Sequence, residues 1–162
     1  MTGPDYAPLW RRLLALVYDL LAVLAIVMVV GLACQLATGG RLIATGARTE
    51  IAWWYQPLQG LVVGGYFLLS WLRGGQTLGM RPWRIRVTAA GGGAVAPYRG
   101  LLRLLAAALP LLLLAPAPRW GMAASGWAML AAWALWFAPA LLDPRRRALH
   151  DLLAGTEVRR TG

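Results

Sequence analysis

The sequence predicts an all-α membrane protein of four transmembrane helices, with a short cytoplasmic loop or hairpin and a C-terminal interfacial helix. Three observations carry that prediction. The 162 residues are 59% hydrophobic with a mean hydropathy of +0.58, more apolar surface than a soluble domain of this size could hide. The run from Arg12 to Ala37 is Leu, Ala, Val, Ile, Met and Gly almost throughout and exceeds the roughly 20 residues that cross a hydrocarbon core. The bases are all Arg, 16 against 6 acids for a net charge of +10, and most gather beside apolar runs, where anionic headgroups are a nearer partner than nucleic acid.

Residues 1 to 9 form a polar lead, and Trp10, Arg11 and Arg12 mark the water boundary. The first span covers residues 12–37. Asp19 follows Arg12 by seven positions, so both point to nearly the same side, about 10 Å apart along the axis. Arg12 can snorkel to the headgroups and Asp19 cannot. A carboxylate at that depth costs on the order of 2.5 to 3.5 kcal/mol on insertion scales, so Asp19 is expected to face other helices and find a partner there. This run is longer than a signal peptide's apolar region and is expected to stay as an anchor.

Thr38, Gly39 and Gly40 close the span, and the loop to about Glu50 holds only Arg41 and Arg48 as bases. A second span covers residues 52–72, with Pro57 in its first turns and Trp at both ends. Its Gly60 and Gly64 give the spacing that lets another helix approach closely. Residues 73–99 then form a basic loop with Arg73, Arg81, Arg84, Arg86 and Arg99 and no acid. The alternation over Arg84 to Ala89 reads as a strand, and Gly91 to Gly93 as a turn leading to a second short piece at 94–96, a hairpin on the membrane surface.

The third span, residues 98–115, is interrupted by Arg103 and Pro110 and reaches about 27 Å as a helix, just enough to cross. Pro116 and Pro118 tighten the connection to the fourth, residues 120–142, whose Gly121 and Ser125 again suit a close helix contact. The tail, residues 143–162, is expected to start a helix at Asp143-Pro144 and stop it at Gly155. Leu149, Leu152 and Leu153 would then lie in the headgroup plane. Arginine bias places the lead, the 73–99 loop and the tail on the cytoplasmic side, which needs an even number of spans.

Catalytic chemistry finds little support. One cysteine, Cys34, excludes an intrachain disulfide, and one histidine, His150, excludes a multi-histidine metal cluster within the chain. Ser70 and Ser125 have no base nearby in sequence, and there is no phosphate-loop motif and no lysine. No enzyme activity, cofactor or metal is expected, and His150 reads as a polar residue at headgroup level. What remains is ionic. Arg99 and Arg103 share a helix face. Asp19 is expected to meet Arg103, with Arg12 as the alternative, and Asp151 to meet Arg147 or the basic loop around Arg81 to Arg86.

The chain resembles the RDD family of small bacterial membrane proteins, named for one Arg and two Asp. Arg12-Leu-Leu-Ala-Leu-Val-Tyr-Asp19 matches the start of the family's first helix. Gly75-Gln76-Thr77-Leu78-Gly79-Met80-Arg81, continuing into Ile85-Arg86-Val87, is similar to its loop after the second span. Leu149-His150-Asp151-Leu152-Leu153-Ala154-Gly155-Thr156-Glu157-Val158 is similar to its closing motif, which makes Asp151 the second Asp. Pro82 and Trp83 depart from the family pattern, as does the Gly91 to Gly93 loop, which lacks an acidic turn residue.

The resemblance implies a multi-pass inner-membrane protein, with cation or proton exchange suggested for some relatives. Residues and resemblance together give a first expectation of a non-enzymatic accessory or assembly subunit, packing against another membrane protein or its own copies over anionic lipid headgroups. A small proton or cation transporter using Asp19 is the second, and an anionic-lipid-handling protein the third.

Overall fold

The computed structural model describes residues 6–45 and 49–161; the lead at 1–5 and the loop base Arg48 lie outside them. Helix α1 runs from Leu9 to Ala37. Its buried residues are Arg12, Ala15 and Asp19, spaced three and four apart and therefore on one stripe. Leu20, Leu24, Met28, Val29, Leu32 and Leu36 are all more than half exposed, an apolar exterior suited to lipid. The helix ends where the Thr38 hydroxyl donates to the Cys34 carbonyl at 2.9 Å. Gly39 and Gly40, at φ 60° and 86°, then turn the chain.

A short antiparallel pair follows, β1 (Ile43–Thr45) with β2 (Thr49–Ile51), before α2 (Tyr55–Gly74). Gly75 closes α2 at φ 71°. A side chain there would be strained by that φ and would also strike the Val87 carbonyl. Strand β3 is Ile85–Ala89. Helix α3 (Pro97–Ala108) passes into a 3-10 stretch, Leu109–Leu114, where Pro110 removes a backbone donor and the ladder tightens. Helix α4 (Ala117–Trp120), α5 (Met122–Phe137), α6 (Pro139–Leu142), α7 (Leu149–Ala154) and strand β4 (Thr156–Arg160) complete the chain.

Among the described residues, three stretches are long and apolar enough to cross a membrane: Leu9–Ala37, Pro97–Trp120 and Met122–Leu142. Helix α2 has 20 residues, about 30 Å, but Gln56, Pro57 and Gln59 and its glycines dilute its apolar content. The boundary between the last two stretches differs from the expected one. Residues 117–120 are helical and Trp120 closes the third stretch, because the break falls at Gly121, whose φ of 87° ends a helix, rather than at Pro116 and Pro118.

The expected surface hairpin does not form. Residues 85–89 are a strand, but Ala89 N–H donates to the Gly93 carbonyl and Gly92 N–H to the Ala89 carbonyl, each at 2.9 Å, and the chain then moves into α3. The partner is β4, antiparallel, with Ile85 opposite Arg160, Val87 opposite Val158 and Ala89 opposite Thr156. Tyr6 bridges Arg159 on the far edge of β4.

The tail likewise is not one amphipathic helix from Asp143. Asp143 is extended, at ψ 127°, and ends α6. The six-residue α7 buries His150, Asp151 and Ala154 and turns Leu152 and Leu153 outward. Periodicity finds a strand or an apolar stripe but carries no information on a partner distant in sequence. The buried apolar core is Ala7, Ala15, Trp71, Met80, Ile85, Val87, Val95 and Val158. It lies where α1 begins and α2 ends, against the β3–β4 pair, and the membrane-length helices extend away from it.

Candidate functional site

Three carboxylates at this end of the fold are buried, Asp19, Asp151 and Glu157, and the chain satisfies the first two in opposite ways. Asp19, 2% exposed, is held by neutral donors. Its Oδ1 accepts from the Tyr66 hydroxyl and the Gly79 N–H, each at 2.9 Å, and its Oδ2 accepts from the Thr77 hydroxyl at 2.5 Å. Tyr66 in turn accepts from Leu78 N–H at 3.0 Å. The loop 75–80 can wrap α1 this closely because of Gly79, where a Cβ would collide with the Ala15 carbonyl and with Asp19 itself.

Neither Arg103 nor Arg12 reaches Asp19, contrary to expectation, because both guanidiniums are drawn to a different acid. Gly75-to-Arg81 was legible as a motif, but Tyr66, Thr77 and Gly79 were not legible as ligands of Asp19.

Asp151 is that second acid, fully buried. Arg12 from α1 pairs with its Oδ2 and Arg103 from α3 with its Oδ1. The Ala148 N–H donates to Oδ2 at 3.0 Å, and the Thr156 hydroxyl lies 3.4 Å from Oδ1 while accepting from Arg103 at 2.9 Å. Arg12 also donates to the Arg146 carbonyl, whose residue holds the rare φ of 53°, and Arg103 lies over the Trp71 ring, 5.1 Å from its centroid. Three segments far apart in sequence are thus tied to one carboxylate. Burial pushes the Asp151 carboxyl up, but Arg103 and Arg12 outweigh it and hold it well below the usual carboxylate range.

The expected partners of Asp151 are elsewhere. Arg147 pairs with Asp143, its Nε 2.8 Å from Oδ2 and its Nη2 3.1 Å from Oδ1, and this hydrogen bonding holds Asp143 below its ordinary value. Arg99 does reach the tail, four residues before Arg103 as its spacing requires, donating to the Gly155 carbonyl at 3.0 Å. His150 is enclosed by the protein itself. It is 7% exposed against Phe137, ring centroids 5.4 Å apart, and burial together with Arg103 pushes its pKa down to about 3, so the imidazole is neutral at pH 7.

Of the predicted packing residues, Gly64 faces Leu104, whose Cδ2 would stand 3.3 Å from a Cβ, whereas Gly60 and Gly121 face no neighbour within 4 Å among the described residues. Ser125 is fully buried. Among the described residues no group of three or more His, Cys, Asp or Glu could hold a metal.

Chemically, the Asp151 cluster is a clasp and the Asp19 cluster a latch. The model of the RDD family matches residues 6–155, which takes in Arg12, Asp19 and Asp151 and both sets of contacts. No curated protein and no solved structure matches.

Proposed function

We propose the following reading for this chain, which belongs to the RDD family: a non-enzymatic, multi-pass protein of the bacterial inner membrane that packs against other membrane proteins, or a second copy of itself, as an accessory or assembly subunit. In this reading α2 is the second of four spans and both chain ends face the cytoplasm. The few arginines at Arg41 and Arg119, against the many at 73–99 and 145–160, support that topology. Anionic headgroups on the arginine-rich side and neighbouring membrane helices are its partners, and it takes no cofactor and no nucleic acid.

The observation that carries the reading is that three donors engage both oxygens of Asp19. A carrier of cations needs free lone pairs on its acid, whereas this carboxylate accepts three hydrogen bonds from groups that serve to fix a loop. The open glycine face of α2 agrees with it. Neither Gly60 nor Gly65 has a neighbour within 4 Å of an added Cβ among the described residues, which leaves room for another helix. One observation favours proton or cation transport instead: Tyr66 and Thr77 are protic groups hydrogen-bonded to a carboxylate in a membrane-length helix.

Two measurements decide between these. Proteoliposomes holding the purified chain should show no proton or cation flux, with or without Asp19→Asn, and mild-detergent extraction should recover a stoichiometric membrane partner or a homo-oligomer. Flux that disappears with Asp19→Asn would establish the transporter.

A further inference from the structure

Where α2 stops, a cavity of about 230 Å³ opens between Trp71–Gly75 and the stretch from Arg86 through the glycine turn to Val95. Several of its wall residues carry hydrogen-bond donors that lack acceptors among the described residues. Trp71 Nε1 and Thr88 Oγ1 are both buried with no partner among the described residues, in side chains 6% and 4% exposed. The backbone N–H groups of Gly93, Ala94 and Val95, also in the wall, donate to no acceptor among the described residues. Arg73 and Arg86 line the cavity, are exposed, and pair with no acid among the described residues. Native folds rarely leave buried donors unmet unless a water or a ligand meets them.

Charge narrows the choice. Behind the Trp71 indole lies Arg103, in a cluster of two guanidiniums around one carboxylate. The Glu157 carboxylate stands across the strand from Thr88, but it does not line the cavity. Its Oε1 is engaged by Arg159 Nε at 2.7 Å and Gly91 N–H at 3.2 Å, while its buried Oε2 meets no hydrogen-bond partner among the described residues. The α2 C-terminus adds a partial negative charge, which Arg73 in its last turn offsets. A cation would meet two free guanidiniums, and an apolar guest would leave every donor unmet. A group made wholly of acceptor oxygens and carrying about two negative charges fits both features.

We infer that this cavity binds a phosphate group, either as the headgroup of an anionic lipid or as a soluble phosphate. The inference deepens the headgroup contact in the reading above and is separable from it, since an accessory subunit without this site would remain an accessory subunit.

The test uses the full chain in detergent. Inorganic phosphate is titrated by calorimetry, and retention of phosphatidic acid over phosphatidylcholine is counted by native mass spectrometry after exchange into mixed micelles of both lipids. Thr88→Val keeps the branched shape and removes the hydroxyl, Arg86→Gln changes an exposed side chain and is safe for folding, and Arg84→Gln alters an exposed arginine outside the cavity wall. Saturable binding of inorganic phosphate would make a soluble phosphate sufficient, and selective retention of phosphatidic acid without it would assign the lipid. In either case Thr88→Val and Arg86→Gln should each weaken binding about tenfold, as the loss of one charge-assisted hydrogen bond does, while Arg84→Gln should change it less than about twofold. No binding of either probe, or equal losses from Arg84→Gln and Arg86→Gln, would overturn the inference.

Discussion

Asp151 shows how much one charge can hold. With Arg12 and Arg103 both buried against it, Asp151→Asn leaves two desolvated guanidiniums with no counter-ion, a loss on the order of 3 to 5 kcal/mol. The expected outcome is a large fall in thermal midpoint in detergent; an unchanged midpoint would refute the clasp. His150 gives a pH dependence with a definite sign. Its folded pKa, lowered by burial to about 3 from 6.5, means that between those values only the unfolded chain takes up the proton. Stability therefore falls as pH drops from about 6.5 toward 3. Asp151, held low by Arg103 and Arg12 despite burial, adds a loss in the same direction below its ordinary 3.8. Unfolding measured at pH 7 and pH 4.5 should show the decline in the wild type and a flatter profile in His150→Gln. Arg12, Asp19 and Asp151 could be singled out from the sequence, by depth and by motif. Their pairing could not, since seven-residue spacing fixes a helix face but not which of two acids a guanidinium from that face will reach.

At the scale of elements, the loop from Gly75 to Met80 is what Asp19 organises. Gly79→Ala would drive a methyl into the Ala15 carbonyl and the Asp19 carboxylate. An overpacking cost of about 1 to 3 kcal/mol is expected, read as a lower midpoint and as faster proteolysis at the nearby Arg81. Thr77→Val should cost a similar amount, about 1.5 to 3 kcal/mol for one hydrogen bond to a carboxylate. The β3–β4 pair makes a further demand. Ending the chain at Gly155 removes β4 and with it the cover over Ile85 and Val87, so the truncated protein should aggregate on extraction while the full chain stays monodisperse. The strand at 85–89 was legible because its residues alternate. β4 lies beyond the helix stop expected at Gly155, and a pairing between segments so distant in sequence leaves no local trace.

For the whole molecule, the proposed four-span topology makes a geometric prediction. With Cys34 replaced by Ala, a cysteine placed at Thr161 should be protected from an impermeant thiol reagent in intact cells, and one placed at Gly40 should react; reaction at both positions, or at neither, would require an odd number of spans, and the opposite pattern an inverted orientation. Length, apolar content and arginine placement by themselves determined that this is a helical membrane protein, because lipid solvation acts on each segment through composition alone. Tertiary structure decided where the apolar core sits, which arginine meets which acid, and that the tail closes a sheet instead of lying on a surface. These depend on contacts among α1, the 75–80 loop, α3 and the tail, segments that the chain brings together only on folding and whose mutual distances no local pattern encodes.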